Sequence, residues 1–113
     1  SDSLKISSVI NDIFEKGEFS EGIYDFSDFI LQDVVGINKF DVFTEILNFK
    51  LNFYIKEKAI YNPSFIINNK KIFGIRDSIL DLISQERVYK LNKKQTILSI
   101  LSNLDEITKL QKH

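Results

Sequence analysis

Along most of this chain the apolar residues recur at three- and four-residue steps, a spacing that predicts helices. In the first segment, Leu4 to Phe14, the residues Ile6, Val9, Ile10, Ile13 and Phe14 share one side, and Gly17 stands where a helix would stop. A second helix is expected to start at Ser20 and Glu21, a hydroxyl cap followed by a first-turn acid. Its apolar positions are Ile23, Phe26, Phe29, Ile30, Val34 and Val35, with Gly36 as the stop. Asn38 should cap a third helix from near Lys39, with Val42, Phe43, Ile46, Leu47 and Phe49 as a wide apolar set.

From Asn48 onward two periods compete. Phe49, Leu51, Phe53 and Ile55 alternate with Lys50, Asn52, Tyr54 and Lys56 at the strand period of two. A helical face through Ile46, Phe49, Phe53 and Ala59 fits the same residues, and no breaker intervenes before Asn62-Pro63. Continuation as one long helix is preferred over residues 49–56, with a strand as the alternative. Pro63 ends whatever precedes it, because it has no amide hydrogen and biases Asn62 away from helix. The runs Phe65-Ile66-Ile67 and Ile72-Phe73 around Asn68-Asn69-Lys70-Lys71, with Gly74 after them, predict a short β-hairpin. A fourth helix is expected from Arg76 or Asp77 through Ile79, Leu80, Leu82, Ile83 and Val88. Asn92 opens a fifth, with Ile97, Leu98, Ile100, Leu101, Leu104, Ile107 and Leu110 in a strong stripe.

The 113 residues, 43% apolar and including ten Phe, are enough for one globular helical domain spanning residues 1–113. The chain has no Met and begins with Ser1, which predicts a domain excised from a longer protein. No signal peptide and no apolar run near the roughly 18 residues of a spanning helix is seen, so an intracellular, membrane-free protein is expected, cytoplasmic and nuclear locations being equal. Although the net charge is −1, its distribution is uneven. Residues 1–48 carry ten acids and three bases, net −7, and residues 49–113 carry twelve bases and six acids, net +6. Such asymmetry bears on partners rather than on fold.

Few chemistries survive the composition. There is no Cys, and the single His is His113, the last residue, so thiolate or histidine metal sites and nucleophilic triads cannot be assembled. Gly17, Gly22, Gly36 and Gly74 are scattered, and no phosphate-cradling loop occurs. The carboxylate pairs Asp12 with Glu15, Asp25 with Asp28, and Asp105 with Glu106 lack calcium-loop spacing and read as solvated helix faces. The tyrosines Tyr24, Tyr54, Tyr61 and Tyr89 read as core-edge residues with wet hydroxyls. The expectation is a non-enzyme without cofactor or metal.

The segment Leu31-Gln32-Asp33-Val34-Val35-Gly36-Ile37-Asn38-Lys39-Phe40-Asp41-Val42-Phe43-Thr44-Glu45-Ile46 resembles a helix-turn-helix of the winged-helix family. Here Gly36 matches the turn glycine, and Val42 and Ile46 the apolar residues that lock the two helices. The resemblance spans about residues 4–68 and implies a wing bearing Lys56 and Lys58, with Phe65 to Ile67 returning from it. Gln32 and Glu45 depart from the pattern. The exposed side of the implied recognition helix is Asn38, Lys39, Asp41, Thr44, Glu45 and Asn48, too acidic to favour a phosphate backbone.

Bases are denser elsewhere: Lys70, Lys71, Arg76, Arg87, Lys90, Lys93 and Lys94 form the candidate basic interaction surface, with Tyr89 available for stacking. The expected fold is mostly α, about five helices with one short β-hairpin, in a winged-helix-like arrangement if residues 49–56 are strand. The expected function is a non-catalytic protein–protein interaction module, with a protein partner or a homodimer. The alternatives are a winged-helix-like nucleic-acid-binding domain and a small immunity or inhibitor protein.

Overall fold

The computed structural model of the chain describes residues 1–32 and 34–111. Asp33 and His113, both named above, lie outside the described residues. Six helices follow one another: α1 (Asp2–Lys16), α2 (Ile23–Leu31), α3 (Lys39–Tyr61), α4 (Pro63–Asn68), α5 (Lys71–Tyr89) and α6 (Lys93–Leu110). No strand occurs among the described residues.

Several helix ends follow directly from side-chain chemistry. Gly17 ends α1 in the left-handed conformation, φ 68°, where a residue without Cβ is unstrained. Asn38 Oδ1 accepts the Asp41 amide at 3.2 Å and Asn92 Oδ1 accepts the Gln95 amide at 3.0 Å, so both Asn caps form as expected. Ser20 does not cap α2, which starts later behind Gly22.

The β-hairpin and the winged-helix arrangement are both corrected. Residues 49–56 lie inside α3, which runs unbroken for 23 residues because nothing between its Asn38 cap and Pro63 disrupts the backbone ladder. Pro63 occupies the first turn of α4, where its missing N–H costs nothing. A two-residue hairpin turn at Asn68-Asn69 would require positive φ at the first of them at least, and neither has it. Asn69 instead closes α4, its Nδ2 donating to the Phe65 carbonyl at 2.8 Å. The backbone then enters α5 at Lys71, well before the expected start at Arg76 or Asp77, and Gly74 lies within that helix.

The helix-turn-helix fails for a second reason. α2 stops at Leu31, so the connection to α3 takes seven residues rather than a tight turn. Within it, Ile37 N donates to Val34 O at 2.9 Å, and Gly36 at φ 79° supplies the third position of a type II turn. Val34 and Val35, expected among the apolar positions of the second helix, are exposed, as is Ile37 in the turn.

One apolar core joins α1, α2, α3, α5 and α6. α6 contributes Ile97, Ile100, Leu101, Leu104, Ile107 and Leu110, facing Ile6, Ile10 and Ile13 of α1, Phe26 of α2, and Ile79 and Ile83 of α5 within that cluster. α3 contributes Phe40, Phe43, Leu47, Leu51, Tyr54 and Ile55. Phe26 meets Phe43 edge-on at 5.9 Å, an arrangement favoured by the ring quadrupoles. Among the described residues the side of α3 that carries Phe49 and Phe53 is left exposed, and the candidate site lies there.

Candidate functional site

α3 is apolar on two sides, and only one can be buried against α1 and α2. The buried stripe is the one containing Leu47, Leu51 and Tyr54. Phe49 and Phe53, one turn apart on the other side, are 71% and 57% exposed, with their rings stacked at 6.4 Å and 12°. Two large aromatic side chains held together in water by a rigid helix mark a binding surface more often than a scattered exposed residue does.

A hollow flanks this ridge on each side. The larger, about 520 Å³, lies between α1 and α3. Phe14 and Tyr54, stacked at 4.9 Å, line it together with Phe49 and Phe53. Its charged lining, Glu15, Lys50, Glu57 and Lys58, is balanced. Lys58 Nζ lies 5.5 Å from the Tyr54 ring and 5.3 Å from the Phe65 ring, so its ammonium rests on an aromatic shelf. Burial raises the Tyr54 hydroxyl pKa above its ordinary value, and the hydrogen bond that Gln111 Nε2 donates to it at 3.0 Å acts in the opposite direction. The second hollow, about 470 Å³, is an open trough lined by α3 alone: Glu45, Asn48, Phe49, Asn52, Phe53 and Lys56.

The candidate basic surface is divided. Lys70 and Lys71 lie at the start of α5 and Arg76 follows them, pairing with Asp77 at 3.4 Å. Arg87, Lys90, Lys93 and Lys94 lie at the far end of α5 and the entry to α6. Between Arg76 and Arg87, about 16 Å of helix at 1.5 Å per residue, α5 carries Asp77, Asp81 and Glu86 but no base. The second group also makes contacts within the fold. Arg87 donates to Thr44 Oγ1 at 3.5 Å, Lys93 Nζ lies 5.7 Å from the Phe40 ring, and Lys94 pairs with Asp28 at 3.6 Å.

A comparison with protein families, curated proteins and solved structures finds no match for this chain.

Two charged groups escaped sequence reasoning. Lys39, read as exposed on a recognition helix, is 4% exposed. Its Nζ donates to the Phe29 carbonyl at 3.3 Å and to Gln32 Oε1 at 3.4 Å, sits 4.1 Å from the Phe29 ring, and has Asp2 at 3.9 Å. It ties the end of α2 to the start of α3, a structural role. Glu86 is likewise buried in α5. Neither borders the α3 ridge. Among the described residues no group of three or more His, Cys, Asp or Glu side chains is placed to hold a metal ion, and no helix is long and apolar enough to cross a membrane.

Proposed function

We propose that this domain is a non-catalytic protein-interaction module whose docking surface is the side of α3 centred on Phe49 and Phe53. The supporting observation is the stacked, exposed ring pair standing between two hollows on a helix whose other side is locked in the core. The two rings already stack on each other, an arrangement that would lower the side-chain freedom lost on binding. The charges around them, Glu15, Glu45 and Glu57 against Lys50, Lys56 and Lys58, sum to zero. Such a rim suits a protein surface better than a phosphate backbone, which calls for a continuous excess of base. An immunity or inhibitor role would be a special case of this reading.

Cross-linking through Lys50, Lys56 and Lys58 in an extract of the source cells, followed by mass spectrometry, provides the test. The wild-type chain should yield partner peptides at these lysines, and the Phe49→Ala/Phe53→Ala variant should lose them by tenfold or more, because central aromatic truncations typically cost about 2 kcal/mol each. The same partner peptides at equal yield in the variant would refute this docking surface.

A further inference from the structure

The trough on α3 has an internal symmetry. Its six lining side chains form three pairs: acid with base (Glu45, Lys56), amide with amide (Asn48, Asn52) and ring with ring (Phe49, Phe53). The midpoints of all three pairs fall at residues 50 to 51. At 3.6 residues per turn the two amides lie on one flank, the two rings on the other, and the two charges between them. A two-fold axis across the helix at that level reverses its direction but keeps each flank on the same side. It therefore sets Phe49 of one copy against Phe53 of the other, Asn48 against Asn52, and Glu45 against Lys56, each contact occurring twice. Parallel pairing would instead set Glu45 against Glu45 and Lys56 against Lys56.

The amides carry the complementarity further. Asn52 Nδ2 donates to Asn48 Oδ1 at 3.1 Å within the helix. Asn48 keeps its own amide donors and Asn52 keeps its carbonyl acceptor, the two halves of a hydrogen bond across such an axis.

We infer that the occupant of this face is a second copy of the same chain, packed α3 against α3, antiparallel, about a two-fold axis near residues 50 and 51. This rests on the reading of the α3 face as a docking surface and specifies its partner.

Sedimentation equilibrium from about 1 μM to about 1 mM should show a reversible monomer–dimer equilibrium. Glu45→Lys or Lys56→Glu alone should raise the dissociation constant by about tenfold, since each brings like charges together at two places. The combined Glu45→Lys/Lys56→Glu variant should restore it. Both positions are exposed, and unchanged helicity by circular dichroism verifies the fold. Orientation has its own readout, because the chain contains no Cys. Mixing Glu45→Cys with Lys56→Cys protein under oxidising conditions should give the mixed disulfide dimer in excess over either self-linked one. A chain monomeric throughout this range, a double swap that fails to restore association, or an excess of self-linked dimers would each overturn the inference. Monomeric behaviour would leave the broader docking reading to its cross-linking test, which detects other proteins.

Discussion

Tyr54 is the residue at which the bundle is fastened. Its ring stacks on Phe14 of α1 at 4.9 Å and receives the edge of Phe65 of α4 at 6.3 Å. Gln111, just past α6, donates from Nε2 both to the Tyr54 hydroxyl and to the Phe14 carbonyl, at 3.0 and 3.3 Å. Burial holds the hydroxyl proton more tightly in the folded chain than in the unfolded one. The stabilisation is thus fully present below the unfolded phenol pKa of about 10 and is lost as pH rises through the higher folded-state value. Urea midpoints should accordingly fall more steeply above pH about 10 in the wild type than in Tyr54→Phe, and phenolate absorbance should show a late component that the variant lacks. Parallel stability curves for the two proteins would refute this account. In the sequence Tyr54 reads as a core-edge residue like Tyr24, Tyr61 and Tyr89, yet those three are largely exposed. The period along α3 supports two apolar stripes, and which of them is buried depends on where α1 and α2 pack. For the same reason Phe49 and Phe53 read as core in the sequence and form the candidate surface in the structure.

At the scale of elements, α1 and α6 were the most legible, since each carries one apolar stripe and a clear end signal: Gly17 for the first, Asn92 for the second. The region from Pro63 to Gly74 was the least legible. Short β-branched runs around an Asn pair suit a hairpin locally, but they belong to one short helix and the first turn of a long one. An isolated two-stranded hairpin is marginal in water, whereas α4 satisfies its own backbone and sets Phe65 and Ile66 against the core. The candidate basic residues show how sequence proximity and spatial position can differ. Bases close in sequence around residues 70–94 are separated by the length of α5 in space. Gly74 gives the element-scale test. It is exposed in α5 at negative φ, and a Cβ built there meets nothing within 4 Å. Gly74→Ala should stabilise the chain by about 1 kcal/mol through helix propensity, raising the urea midpoint at constant slope. Destabilisation would mean that this residue ends a turn rather than extends a helix.

At the scale of the molecule, the opposite charges of the two halves do not divide it into two bodies. α2 of the acidic half packs on α6 of the basic half, and α1 packs on both α3 and α6. Among the described residues the only ion pair joining the halves is Asp28 with Lys94, and both side chains are more than half exposed, so its contribution is small. Cohesion comes instead from the interlocked core, and stability should follow the distribution of that core. α4 has no buried residue, and beyond Ile55 no residue of α3 is buried, while α6 buries six apolar side chains. Native-state hydrogen exchange in low denaturant should therefore find the amides of α4 and of the last turn of α3 opening at the low end of the scale, near ~0 kcal/mol. The central amides of α6 and of α1 should exchange only through global unfolding. Residues 45–56 of α3, carrying the aromatic ridge on one side and the core stripe on the other, should group with the protected set, as a preformed docking surface requires. Rapid exchange in that segment would remove the preorganisation on which the proposed interaction depends, whereas protection equal to that of α6 would show that the ridge is held as rigidly as the core beneath it.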